Sequence, residues 1–129
     1  MSDSVYTVTV THEVTDQFIR DIIITGCEGG IGYWSVIKEY DGPAIDEGRE
    51  GALPLLIAEQ YESGGQGAWL RLGKAQIVYG IKRVMTDYPN GVTASNILQA
   101  LGDNDGSYLD ATDADNIIQC GLLGEIVYG

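Results

Sequence analysis

Hydrophobic positions in this chain recur with two different periods, and the places where the period changes mark its elements. Residues 5–11 (Val-Tyr-Thr-Val-Thr-Val-Thr) alternate strictly and are rich in β-branched side chains, so they predict a strand with one buried face. Thr15 is a helix cap in sequence terms, with Asp16 in the first turn favoured by the helix dipole. Phe18, Ile19, Ile22, Ile23 and Cys27 then repeat at helical spacing, and Gly26 and Gly29-Gly30 supply the stop. The run Ile22-Ile23-Ile24-Thr25 lowers the helix propensity of that segment. Residues 33–40 predict a second strand, and Asp41-Gly42-Pro43 a turn after it. Residues 53–58 predict another strand, which Pro54 restricts to an edge or places at the strand's own start.

The second half of the chain is more helical. Residues 63–67 are a glycine-rich loop and residues 68–72 a short strand. From Lys74 to Thr86 the positions Ile77, Val78, Ile81, Val84 and Met85 predict a helix. Gly80 interrupts it, as a close packing contact would require. Residues 87–91 end that helix, Thr93 or Ser95 starts a short one through Ile97, Leu98 and Leu101, and residues 102–106 form a loop. Thr112 caps a last helix, with Asp113 and Asp115 in its first turn and Ile117, Ile118, Leu122 and Leu123 on its face. Residues 125–129 predict a closing strand that joins the N-terminal one. The expected fold is α+β, a single domain over residues 1–129: a small, mostly antiparallel sheet of about five strands packed against three or four helices. With 44% hydrophobic residues in 129, the chain suffices for a core.

Charge narrows the choice of partners. Nineteen acids against seven Lys and Arg give a net charge of −12. Direct binding to duplex DNA is disfavoured, because phosphate contacts need basic side chains. The charge keeps the protein soluble or matches a partner with a basic surface. Glu39, Asp41, Asp46, Glu47 and Glu50 concentrate it locally, opposed only by Arg49, and form either a solvated loop or an acidic contact face. Cys27 and Cys120 both lie in apolar runs, and His12 is the single histidine, so a structural zinc site is not expected. No signal-peptide pattern and no long apolar span occur, which leads us to expect the cytoplasm, free thiols and no membrane contact.

Glu28-Gly29-Gly30-Ile31-Gly32-Tyr33-Trp34 is the most distinctive segment, and it reads as a binding corner. Its glycines allow a sharp turn or a close approach, and Tyr33 and Trp34 offer flat faces with hydrogen-bonding edges. Glu28, Gly29, Gly30, Tyr33 and Trp34 are therefore the candidate contact residues. The segment is not a phosphate-binding loop of the nucleotide-hydrolase kind: it lacks the lysine and follows a helix instead of preceding one. Arg71, Lys74, Lys82 and Arg83 gather four of the seven basic residues near Trp69 and Tyr79. They form a solvated helix face or, through Arg71, Lys74 and Arg83, an anion pocket with aromatic stacking. No nucleophile sits with an evident base, since His12 is at a strand-to-helix junction that favours a surface or capping role. Asp113 and Asp115 diverge on a helix, and Asp103, Asp105 and Asp110 lack the spacing of a calcium loop. No metal and no cofactor are expected.

Two blocks are similar to a group of small, largely uncharacterised phage and prophage accessory proteins. One is the Glu-Gly-Gly-x-x-Tyr-Trp pattern at Glu28–Trp34; the other is the closing segment from Asp113, ending Gly124-Glu125-Ile126-Val127-Tyr128-Gly129. Together the two blocks span about a third of the chain, and residues 41–72 show no such resemblance. The resemblance implies an accessory gene of a phage or mobile element, a setting in which small proteins often disarm bacterial immunity. It transfers no functional residue. The leading expectation is therefore a non-enzymatic counter-defence protein that occupies the nucleic-acid channel of a CRISPR or restriction complex with an acidic surface. A second is an oligomer that sequesters a nucleotide immune signal at the Glu28–Trp34 corner with Arg71, Lys74 and Arg83. A hydrolase of a small substrate using Glu28 or Asp113, and a structural protein of a virion, are further alternatives.

Overall fold

A computed structural model describes residues 3–129 of the chain. Its elements run α1 (Asp16–Gly29), β1 (Ser35–Lys38), α2 (Gly42–Asp46), β2 (Leu55–Glu59), β3 (Leu70–Leu72), α3 (Lys74–Asp87), α4 (Val92–Asp103) and α5 (Ala111–Leu123). A single 3-10 turn, Gly106–Tyr108, leads into α5. This is the expected α+β class. The sheet has three strands in the order β1-β2-β3, both pairs antiparallel, with Ser35 opposite Glu59 and Leu55 opposite Leu72.

Helix α1 forms as its pattern requires. The Thr15 hydroxyl accepts from the Phe18 amide at 3.1 Å, and Phe18, Ile19, Ile22, Ile23 and Gly26 face the core. Helices α3 and α5 form the most extensive element contact in the fold. Two glycines allow it. A Cβ on Gly80 would fall on the Ile117 carbonyl, and a Cβ on Gly121 on the Gln76 carbonyl, so the two backbones meet with no side chain between them. Gly80 thus has the packing role its position predicts. The core gathers Phe18, Ile22, Ile23, Ile31, Trp34, Ile57, Leu72, Ile77, Ile97, Ile117 and Ile118, all essentially without solvent contact.

Several expected boundaries move. Residues 5–11 are not a strand: residues 3–15 carry no regular element and residues 3–13 are exposed. Alternation reports a preference for pairing, and neither edge of the sheet pairs with them. Residues 125–129 are not a strand either, because side chains take their backbone donors. Gln119 Oε1 accepts from the amides of Val127 and Tyr128, each at 2.8 Å, and the Tyr88 hydroxyl accepts from Ile126 at 3.0 Å. Hence there are three strands among the described residues and not five. Asp41-Gly42-Pro43 opens α2 instead of a turn: Asp41 Oδ1 accepts from Ala44 at 3.2 Å, and Pro43 sits in the first turn, where a missing amide costs nothing. Pro54 lies directly before β2, at the start of what is the central strand. Helix α4 begins on Gly91, not on Thr93 or Ser95. Asp110, not Thr112, caps α5, accepting from the Asp113 amide at 2.8 Å, while Asp113 Oδ2 accepts from the Asp110 amide at 3.2 Å.

Gly80→Ala tests the helix contact. The backbone carbonyl it meets cannot rotate away, so overpacking should outweigh the gain in helix propensity and destabilise the fold by about 1–3 kcal/mol. Chemical denaturation of the two proteins checks this, and an unchanged or higher stability would show that the α3–α5 approach is loose.

Candidate functional site

The glycine-aromatic segment and the start of α5 meet in space. Tyr33 donates to Asp115 Oδ2 at 2.6 Å, and Trp34 Nε1 donates to Asp115 Oδ1 at 2.8 Å. Gln119 Nε2 donates to the same Oδ1 at 2.9 Å and to the Tyr128 carbonyl at 3.1 Å. Trp34 stacks on Tyr128 with centroids 5.4 Å apart and planes 7° from parallel, and Tyr128 donates to Glu59 at 2.7 Å. The Trp34 face is therefore not a contact surface, since the side chain is 1% exposed and belongs to the core. Tyr33, at 59%, remains accessible. The turn itself needs glycine at position 30, where a Cβ would press on the Ala111 carbonyl.

The five corner residues separate into different places. Gly29, Gly30 and Tyr33 line a cleft of about 350 Å³ with Ala111, Thr112, Asp115, Asn116 and Gly129. Trp34 lies beneath the surface, and Glu28 faces the opposite way. Glu28 accepts from the Tyr40 hydroxyl at 2.6 Å and borders a larger cleft of about 540 Å³ between α1 and α2. That cleft is acidic. Asp21, Ile24, Thr25 and Glu28 come from α1, and Pro43, Asp46 and Glu47 from the α2 segment. Positions 21, 24, 25 and 28 are one face of a helix, so α1 buries its apolar stripe and turns two carboxylates toward the cleft. Glu39, Asp41, Asp46, Glu47 and Glu50 are all exposed. Asp41 also caps α2, and Glu47 pairs with Arg49 at 2.6 Å.

The expected anion pocket does not assemble. Lys74 and Arg83 are nine residues apart on α3, about two and a half turns, so they leave opposite sides of the helix. Lys74 pairs with Asp16 at 3.1 Å, whereas Arg83 pairs with Asp87 at 2.7 Å and donates to the Gly124 carbonyl at 3.1 Å. Arg71 is exposed on β3. Lys74 instead joins Arg20 and Arg49 around a hollow of about 240 Å³, with Asp16 and Glu50. The Arg20 guanidinium packs against Gly48, whose φ of +69° excludes most side chains, and its Nε is buried without a hydrogen-bond partner. Arg20 and Asp21 are site residues that sequence reasoning missed. The helical spacing of Asp21 with Glu28 was a usable signal for the second, but nothing marked Arg20.

The chemistry of the other candidates is quiet. Asp113 and Asp115 do diverge, each into its own network: Asp113 accepts from Thr93 at 2.8 Å and from Asn96 at 2.9 Å. Burial pushes the Cys27 thiol up to about 12 and the Cys120 thiol up to about 11, so both are protonated near neutral pH. Burial and the Asp115 hydrogen bond push the Tyr33 hydroxyl up to about 12. Asp105 and Asp110 cap the 3-10 turn and α5, and among the described residues no group of three or more His, Cys, Asp or Glu is arranged to hold a metal. No helix among those residues is long and apolar enough to cross a membrane.

No known protein family, curated protein or solved structure matches this chain.

Asp115→Ala tests the role of the α5 carboxylate. Trp34 and Gln119 would lose a buried acceptor together, and we expect a loss of about 2–4 kcal/mol, with disrupted Trp34 packing in near-ultraviolet circular dichroism. A variant as stable as the parent would mean that water replaces the carboxylate without cost.

Proposed function

We propose that this protein is a non-catalytic, stoichiometric binder that presents its α1–α2 acidic face to the basic surface of a protein complex. The observation that carries this reading is the cleft in which Asp21, Glu28, Asp46 and Glu47 converge, extended by exposed Glu39, Asp41 and Glu50. Arg20 and Arg49 are the basic residues adjoining that face. Each is partly occupied, Arg49 by Glu47 and Arg20 by Gln17 at 2.8 Å. Such a face imitates the charge of a nucleic-acid backbone without its bases, and a net charge of −12 adds long-range steering toward a basic channel. The phage resemblance supplies the setting: in the host cytoplasm, the partner would be a bacterial defence complex, of CRISPR or restriction type, whose nucleic-acid channel the acidic face fills.

The test is inhibition of purified CRISPR and restriction nucleases by the parent protein and by a variant carrying Asp21→Asn, Asp46→Asn, Glu47→Gln and Glu50→Gln. Asp41 is left intact because it caps α2. The variant should keep its melting temperature, and its association rate at low salt should fall by about tenfold or more. Full inhibition by the variant, with the same salt dependence, would remove the acidic face from the account.

A second reading has its own observation. Three of the chain's seven basic residues, Arg20, Arg49 and Lys74, surround one hollow, and Arg20 Nε has no partner there. The site suits a small phosphate-bearing anion, the chemistry of a nucleotide signal held without turnover. Native mass spectrometry with a panel of mono- and cyclic nucleotides should then show a bound anion that Arg20→Gln weakens about tenfold, and no adduct with any nucleotide would rule the reading out.

A further inference from the structure

Residues 3–13 are exposed along their whole length, yet they have the composition of a buried strand. Val5, Tyr6, Val8 and Val10 are 88, 85, 84 and 69% exposed. In an extended backbone Tyr6, Val8 and Val10 lie on one face and Thr7, Thr9 and Thr11 on the other. The apolar face does not end at Val10. Val10, Thr11, His12 and Val14 border a groove of about 410 Å³ whose far wall is Val78, Ile81, Lys82, Met85 and Thr86 of α3 and Leu101 of α4. The arm leaves the body from an apolar surface and carries an apolar stripe outward.

Charge singles out the occupant. Residues 4–11 contain no charged side chain, in a chain of net charge −12. Two copies of such a chain repel each other almost everywhere, and the arm is where they can approach without placing like charges opposite. The free sheet edges are poorer hosts. β3 has three residues with Arg71 at its centre, and β1 has four and ends at Lys38, followed by Glu39. Short, charged edges resist strand addition.

We propose that residues 5–11 pair antiparallel with the same residues of a second copy, about a two-fold axis through Val8, and that the ribbon so formed lies over the α3–α4 groove. This register is self-complementary. Val8 lies opposite Val8 of the second copy, Tyr6 opposite its Val10, and Thr7 opposite its Thr9. Within residues 6–10 every apolar residue meets an apolar one and every threonine a threonine, on separate faces, and at the ends of the ribbon Val5 lies opposite Thr11. A two-stranded ribbon is marginal alone, so the groove side chains Val78, Ile81, Met85 and Leu101 supply the surface that the ribbon needs. The α1–α2 acidic cleft takes no part in the pairing, so the dimer would carry two copies of it.

Sedimentation equilibrium of the full chain from micromolar to hundreds of micromolar tests this. We expect a monomer–dimer equilibrium. Val8→Lys places two ammonium groups opposite each other and should weaken it at least tenfold, with the melting temperature of the monomer unchanged because Val8 touches no core residue. Val8→Cys fixes the register: mild oxidation should convert the dimer to a disulfide-linked one, while the parent, whose Cys27 and Cys120 are half-buried and buried, should not cross-link. A monomer at every concentration, or a dimer indifferent to Val8→Lys, overturns the proposal. A dimer that Val8→Lys weakens but Val8→Cys does not cross-link also overturns it, in favour of an arm laid on a sheet edge.

Discussion

The carboxylate of Asp115 accepts hydrogen bonds from Tyr33, Trp34 and Gln119, and through them three distant stretches of chain are held in one arrangement. A buried carboxylate is costly unless its lone pairs are met, and here three neutral donors meet them with no cation in contact. The consequence reaches beyond the bonds. Trp34 fixed by its indole N–H can stack on Tyr128, and Gln119, fixed by the same carboxylate, turns its own carbonyl to the amides of Val127 and Tyr128. The C-terminal segment is therefore fastened by side chains of α5. Its backbone amides need no strand partner, and the sheet contributes the Glu59 carboxylate that accepts from the Tyr128 hydroxyl.

Helix α5 can make these contacts only because α3 comes close behind it. Gly80 and Gly121 bring the two backbones into direct contact, and Gly26 leaves the space on α1 that the Ile118 side chain fills. Small residues at three helix positions place α5 at the centre of the fold, with one side on α3, another on α1 and a polar edge on the Tyr33 turn. Helix α1 is thereby turned so that its second face, bearing Asp21 and Glu28, looks outward across α2. The acidic cleft is thus a by-product of how the core is packed, which makes its geometry rigid on the α1 side.

The four long helices were legible in the sequence because each carries an apolar stripe and a stop within one segment, whereas the short α2 was not, its Asp41-Gly42-Pro43 start reading as a turn. Thr15, Phe18, Ile22 and Gly29 suffice to place α1 without reference to anything else. Strands were less legible, since pairing depends on a partner elsewhere in the chain. Residues 5–11 have the better strand pattern and remain unpaired, while Leu70–Leu72, a weaker pattern, closes the sheet. The exposure of Trp34 could not be read from its neighbours, because the acceptor that buries it lies 81 residues away. Site residues fared similarly. The exposed acids of residues 39–50 form a surface as their density suggests, but Arg71, Lys74 and Arg83, close in sequence, are dispersed by the helix period.

Charge is segregated on this molecule in a way that bears on assembly. Residues 39–50 carry five acids and residues 103–115 five more, whereas the longest neutral stretch that is also exposed and apolar is the arm. A uniform distribution would serve solubility as well, so segregation asks for a reason of its own. Self-association of an acidic chain costs repulsion that grows with every pair of carboxylates brought within about 8–10 Å, the screening length at physiological salt. The proposed pairing of the neutral arms over the α3–α4 groove brings uncharged residues together, and that groove shares no lining residue with the acidic cleft. Such a dimer would leave each α1–α2 face open to a partner. A basic surface that met both faces of the proposed dimer would be held by both, and the second would bind at the effective concentration set by the first. On the proposed reading, the neutral arm and the acidic face answer a single constraint: a strongly charged protein would put its like charges where its partner is and its uncharged surface where its own copies meet.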